Sequence, residues 1–463
     1  MRNILKPPIK TKRINFLVLY VVLLMILPGL GAEEKPGSEV QRTIKLWKSS
    51  PERIKINDQL SYIFQHDSTT QITVIQLAVK GGTRAIPVIR RGLMFLTLNL
   101  SFDMQTYIDL IEFTQMGSSI HYSVEGDFCV VTIQGLTKHI DNTLKILMGI
   151  FRDPLFSSLR IDSTLDFMSL QQKSEEESLE NLMQYSLLNA FYGKQDYSYA
   201  GSIFGDTESR KKIGRKDALQ LYKARFNLSN MCIAVSSDLS REETTKLIEK
   251  HFKNIPVGTP LQDETFRMSV PESKSIFIKK ENQQVLISFG VLLPGINMEN
   301  YTRVSLLKSL MGKGIGSRLW QLRLEKELTY NINAHFLQMK DSGIFFMYIK
   351  TDTSKKEEAY RAFRKIITET AKNGVSPEEL KMTASFTEAE YLRQNETKPE
   401  RMFNIAMFES LGVGYEFPGL LFSSIEREGI EVEKFNKWLG EIFQPEKLIE
   451  VIIGPEDLKR VPD

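Results

Sequence analysis

Apolar runs of two kinds succeed one another along the chain, and their order recurs in its second half. "ITVIQLAVKGGTR", from Ile72, is β-branched, continuous and closed by a Gly-Gly turn, which predicts a buried strand. "RGLMFLTLNLSF" and "QTYIDLIEFTQMG" then read as helices, "SSIHYSVEGDFCVVTIQG" as a pair of strands, and "KHIDNTLKILMGIFRDP" as a long amphipathic helix. In the second half, "KSIFIKKENQQVLISFGVLLPG" supplies strands, and "RVSLLKSLMGKGIGSRLWQLRLEKEL" a helix, a Gly-rich turn and another helix. "TYNINAHFLQMKDSGIFFMYIKTD" adds a strand pair and "KKEEAYRAFRKIITETAKNG" a long helix ended by Gly374. Ser376, Pro377 and Glu379 form the capping start of the next helix. Pairing the two turn-containing strand pairs gives a period of roughly 210 residues, so the chain is expected to hold two copies of one α+β unit. Two such halves facing each other would leave a cleft between them.

Composition agrees with this size. At 463 residues, 42% hydrophobic and 25% charged, the chain can build two or three domains with sizeable cores. Its start is different in kind: Arg2, Lys6, Lys10, Lys12 and Arg13 precede "FLVLYVVLLMIL" (Phe16 to Leu27), which a helix-breaking "PGLGAEE" follows. This is the pattern of a secretory signal over residues 1–32, with small residues suited to cleavage near Ala32. The apolar run of 12 residues is short beside the roughly 20 a spanning helix needs, and an uncleaved anchor is the alternative. Residues 1–32 carry five basic groups and no acid, so without them the formal charge of +3 becomes −2. No nucleic-acid partner is expected of a mildly acidic chain with no basic block on one face. "KNIPVGTPLQDETFRMSVPES", with Pro256, Pro260 and Pro271, reads as a linker. The expected division is signal 1–32, an N-terminal domain 33–255, a linker 256–272 and a C-terminal domain 273–463. Cys129 and Cys232 both sit in apolar strand-like runs, which favours buried thiols, although an exported compartment would permit a disulfide.

From about residue 45 to about 455 the chain resembles the pitrilysin/insulinase-like zinc peptidases, in the branch of mitochondrial processing peptidase and bacterial two-subunit peptidases. The resemblance rests on "QLAVKGGTR", "IGRKDALQLYKARFNLSNMCIAVSSDL" and, most specifically, "GSRLWQLRLEKELTYNINA", taken in this order and spacing. It implies an α+β fold of two homologous α/β-roll halves, each a mainly antiparallel sheet packed with helices, facing across a cleft. In that family the helix after the Gly-Gly turn carries Gly-Leu-x-His-x-x-Glu-His-x-x-Phe. Its two His bind zinc, its Glu is the base for the zinc-bound water, and a Glu some way downstream completes the site. Here Gly92, Leu93 and Phe102 match the frame, but the His positions fall on Phe95 and Asn99 and the base on Leu98. The third ligand position falls near Leu170 by one count and near Glu176 by another, and neither placement restores a site. The five His (His66, His121, His139, His251, His335) have no metal-ligand spacing among themselves. No metal and no cofactor are therefore expected in this chain.

A second family signature survives. "LRLEKELTY" supplies Arg323 and Tyr330, seven residues apart, a pair the resemblance aims across the cleft at the scissile peptide. A guanidinium and a phenol can donate to a peptide carbonyl and to the oxyanion formed when water attacks it. Both also have plain structural readings, as a surface charge and as the aromatic start of a strand. Arg318, in "GSRLW", is expected to position the loop. The Gly-rich "MGKGIGSRLW" lacks the order of a phosphate-binding loop and reads either as a flap over peptide or as a tight turn.

The resemblance thus implies a non-catalytic, exported, periplasmic subunit of a heterodimeric zinc peptidase. Its partner would be a homologous zinc-bearing subunit, its substrate a peptide or unfolded protein. A structural or peptide-binding assembly subunit is the alternative. A hydrolase of different chemistry has no Ser elbow, Cys/His pairing or spaced carboxylate pair to support it.

Overall fold

The computed structural model describes residues 50–458 apart from Gln105, 194–198, 263–271, Lys313, Ile315, 325–326, Tyr330 and 419–430. The signal segment, Tyr330 and most of the expected linker lie outside the described residues. Strands β1 (Glu52–Lys55) and β2 (Ser61–His66) open the first half, followed by β3 (Ile72–Lys80), buried at seven consecutive positions. Burial on both faces is why its sequence is a continuous apolar run rather than an alternating one. At the turn after it, Gly82 has φ +45°, and a Cβ there would lie 2.3 Å from the Glu125 carbonyl oxygen, so only glycine fits.

Helices α1 (Leu93–Leu100) and α2 (Tyr107–Gln115) lead to the hairpin β4 (Ser119–Val124) and β5 (Phe128–Leu136). Then come α3 (Ile140–Arg152), α4 (Ser158–Glu177), α5 (Leu179–Tyr192), α6 (Arg215–Arg225), β6 (Met231–Ser237) and α7 (Arg241–Phe252). The second half runs β7 (Lys274–Lys279), β8 (Gln284–Pro294), α8 (Met298–Gly312), β9 (Asn331–Gln338), β10 (Ser342–Asp352) and α9 (Lys356–Asn373). It ends with α10 (Pro377–Arg393), α11 (Lys398–Ser410), α12 (Val432–Ile442) and β11 (Ile449–Gly454). The expected capping start is present: Ser376 accepts from the Glu379 N–H at 3.1 Å, with Pro377 in the first turn.

The two halves share one topology. The first sheet has the order β1-β2-β6-β3-β5-β4 and the second β7-β11-β8-β10-β9. In each, one parallel pair (β2–β6, β7–β11) joins an otherwise antiparallel sheet. The fold is therefore α+β, two mainly antiparallel sheets packed with helices, with β1 as an extra edge strand in the first.

Each sheet has one face covered by its own half and the other by a helix of the opposite half. Ile75, Leu77 and Val79 face a core built with α1, α3 and α7. Val74 and Ala78, on the other face, pack against Met402, Ile405 and Ala406 of α11. Reciprocally, Leu179, Met183, Leu187 and Leu188 of α5 cover Leu286, Phe346, Tyr348 and Val451 of the second sheet. Period-2 side-chain alternation is what lets a single strand serve both cores. The same geometry settles the cysteines. Cys129 lies on the face of α1, with its Sγ 3.8 Å from Met94 Sδ, and Cys232 on the opposite face under α11. Both are free and buried, and burial pushes each thiol up to about 12.

The exchanged α11 is fastened by charge. Arg401 and Asp67, each 1% exposed, form an ion pair. Arg401 also donates to the carbonyls of Asn395 (3.1 Å) and Glu396 (2.6 Å) and to Gln65 Oε1 (3.3 Å). Lys398 Nζ donates to the carbonyls of Asp67, Thr70 and Ile72 at 2.7, 2.9 and 2.9 Å. Burial alone would raise the Asp67 carboxyl, but two hydrogen bonds from Thr69 and the charges of Lys398 and Arg401 outweigh it and hold it below 3.8. Asp67→Asn removes the carboxylate that pairs with the buried Arg401 and acts most strongly on Lys398, and is expected to cost about 3–5 kcal/mol in urea unfolding at neutral pH. Because the folded carboxyl titrates below the unfolded one, its contribution is present above pH 3.8 and is lost as pH falls through the folded value. The acid limb of the stability profile should accordingly be shallower in Asp67→Asn; an unchanged urea midpoint would show that the pair does not fasten α11.

Candidate functional site

Gly92 starts α1 in the left-handed region (φ +95°), and a Cβ there would lie 2.8 Å from Met168 Cε and 2.9 Å from the Phe204 carbonyl oxygen. This close approach seats α1 against α4 and the loop that follows α5. Seven of its eight residues are buried, Asn99 being half-buried. Leu98, at the position of the family's base, is fully buried among apolar side chains.

Phe95, which the resemblance aligns with the family's first His, sits in an aromatic cluster. The Phe95 ring meets Phe204 edge-on at 4.8 Å and stacks on Phe167 at 6.2 Å, and Phe167 meets Phe204 at 6.3 Å. Such ring pairs contribute about 0.5–1.5 kcal/mol each beyond area burial. Both candidates for the third ligand lie on α4. Leu170 is 65% exposed, and Glu176 is exposed and accepts from Gln172 Nε2. Among the described residues no group of three or more His, Cys, Asp or Glu can hold a metal. His251 has a carboxylate neighbour, Asp141 at 2.7 Å, but Lys250 takes both oxygens of that carboxylate at 2.8 and 2.7 Å. Phe167 and Phe204 are absent from the sequence reading. The signal that points to them is Phe95 itself, since an aromatic in a ligand position needs apolar partners from the elements that would have met the metal.

Two arginines of the second half have opposite settings. Arg318 donates to Glu379 through Nε (2.8 Å) and Nη2 (2.6 Å), to Thr370 Oγ1 (2.9 Å) and to the Gly374 carbonyl (2.7 Å). It ties the Gly-rich loop to the end of α9 and the start of α10, the positioning role expected of it. Arg323, in the helical turn Gln321–Leu324, is exposed, and its guanidinium lies over the Trp320 ring at 4.8 Å. Among the described residues it makes no ion pair. A cation held by a ring face is oriented while its N–H groups stay available to an acceptor. Trp320 is half-buried, and its Nε1 has no hydrogen-bond partner among the described residues.

Exposed apolar side chains stand on two helices of the first half. Leu159, Phe167 and Leu170 share the solvent side of α4, and Tyr107, Ile108, Leu110 and Ile111 are exposed on α2. Exposed apolar groups gathered in this way mark contact surfaces more often than scattered single ones do.

Comparison with known proteins agrees with this geometry. Residues 62–204 match the insulinase family, peptidase family M16, and residues 212–385 match the peptidase M16 inactive domain. The chain is 20% identical over 387 residues to the non-peptidase homolog YmxG of Helicobacter pylori, covering 82% of this chain and 89% of that one. It is 21% identical over 343 residues to an uncharacterized zinc protease of Rickettsia felis, 74% of this chain and 75% of that one. In structure it superposes on the peptidase M16 inactive domain from Pseudomonas fluorescens with a TM-score of 0.79 and 18% identity, over 89% of this chain and 99% of that one. A chain of Complex III2 from Candida albicans gives a TM-score of 0.76 at 15% identity, over 87% and 96%. With both of the family's domain matches in sequence and its two-sheet fold, the chain belongs to peptidase family M16 as a catalytically incomplete member.

Proposed function

We propose that this chain is the non-catalytic subunit of a two-chain zinc peptidase. A homologous partner carries the zinc and its base, and this chain presents Arg323, together with Tyr330, to the carbonyl of a peptide held between them. The observation that carries the reading is the contrast within one loop. Arg318 is consumed by four hydrogen bonds, whereas Arg323 is exposed, oriented by Trp320 and without an ion pair among the described residues. A guanidinium set in this way gains its acceptor as charge develops on the carbonyl oxygen, so it stabilises the transition state more than the bound peptide. The apolar side chains on α2 and α4 supply a surface suited to an unfolded segment or to the partner chain. The signal-like N-terminus supports an exported, periplasmic setting for the complex.

A structural role in an assembly is the second reading, favoured by the likeness to a chain of Complex III2. The two separate on activity. Isolating the chain with its partner from a native extract should yield peptide cleavage that a zinc chelator abolishes and that the isolated chain lacks; an inactive complex favours the structural role. In the active complex, Arg323→Ala should lower kcat about a hundredfold, the scale of losing one oxyanion donor, while the chains stay associated on size-exclusion chromatography. Unchanged turnover in this variant would remove Arg323 from the chemistry.

A further inference from the structure

We propose that a groove at the seam of the two halves binds an acidic peptide segment, recognised through its carboxylates. The groove, about 660 Å³, is bounded by the turn after β3, the C-terminal end of α6, the 258–262 loop and the β9–β10 turn. Among the described residues Lys80, Arg84, Lys223, Arg225 and Lys340 line it, against one carboxylate, Asp127. The concentration is local, because without residues 1–32 the chain carries a formal charge of −2. None of these residues belongs to the Arg323 loop or the Phe95 cluster, so the inference stands apart from the peptidase reading.

Asp127 is already committed. Its Oδ1 accepts from Arg84 Nη1 (3.0 Å) and Tyr199 OH (2.7 Å), and its Oδ2 from the Lys340 backbone N–H (3.0 Å). The other amino group of Arg84 reaches Asp341 at 2.8 Å. Arg225 is differently placed: its Nε is buried with no hydrogen-bond partner among the described residues. Burial lowers the proton affinity of its guanidinium, and no carboxylate among the described residues offsets this. An unpaired donor on a charged group is unfavourable when buried, and the Arg225 guanidinium lines the groove where an anionic ligand would meet it.

The chemistry favours spaced carboxylates over a single phosphate. A phosphate cradle uses free backbone amides, and four of those at the turn after β3 and the 258–262 loop are taken. The Gly81 N–H donates to the Asp127 carbonyl (2.7 Å), Thr83 to Glu125 (2.9 Å), Arg84 to Gly126 (2.8 Å) and Leu261 to Asn230 Oδ1 (2.6 Å). Recognition then falls to side-chain cations carried on separate segments of the chain. Single charges dispersed along a groove suit an extended Asp/Glu-rich segment, with the Arg225 fork able to take one carboxylate by two parallel hydrogen bonds.

The test is fluorescence anisotropy of a labelled octaglutamate peptide titrated with the full chain, with octalysine as the charge-reversed control. Binding is expected for octaglutamate alone, weakening as salt is raised. It should weaken at least tenfold in the Arg225→Gln, Lys223→Gln double variant and stay unchanged in Lys365→Gln, an exposed position on α9. Lys223 is exposed, so Lys223→Gln alone gives the same readout in smaller degree should the double variant not fold. No octaglutamate binding at millimolar protein, or binding indifferent to these substitutions, overturns the proposal. Displacement by inorganic tripolyphosphate at concentrations where a second acidic peptide fails to compete overturns the peptide assignment in favour of a phosphate ligand.

Discussion

The fold depends on a salt bridge that joins residues 334 positions apart in the chain, Arg401 on α11 to Asp67 after β2. Without it α11 would still have an apolar face, but non-directional apolar contact with the sheet gives a helix little reason to prefer one register over another. The buried pair, with Lys398 donating to three carbonyls, holds the helix at one place on the first sheet. Buried ion pairs contribute little net stability against apolar replacements of the same shape. Here the directional bonds contribute specificity, which an exchanged helix needs more than extra burial.

The reciprocal exchange also explains how the metal chemistry can be absent without loss of the scaffold. Each half leaves one sheet face for the other to cover, so neither core is complete alone, and the central strands are covered on both faces. α1 lies against only one of these cores, beside α4 and the loop after α5. Its ligand positions can therefore become apolar at low cost, provided the vacated volume is filled. Phe95, Phe167 and Phe204 fill it, as close packing requires.

Much of this was legible in the order of apolar runs. The strand from Ile72, the two hairpins, the long amphipathic helices, Gly374 and the Ser376 cap all stand where the periodicity puts them, and the repeat appears as two sheets of matching order. The exchange of α5 and α11 was not legible. A continuous apolar strand announces that both faces are covered, but it does not name the covering helix. The cysteines show the same limit, since both runs read as buried strands and only the sheet places Cys129 and Cys232 on opposite faces. The Phe95 cluster was half legible: the loss of ligands is visible in the sequence, while the replacement partners come from elements more than seventy residues away.

Arg318 and Arg323 show why residue type and spacing alone do not assign a role. Both follow the Gly-rich loop, five positions apart, and either could serve as a peptide-facing guanidinium. What separates them is the company each keeps. Glu379 sits in the first turn of α10 under the Ser376 cap, where the helix N-terminus favours a carboxylate, and that carboxylate takes Arg318 by a two-point contact. Arg323 meets only the ring of Trp320 among the described residues, which orients it without occupying its donors. The cap of one helix thus decides which arginine holds the loop.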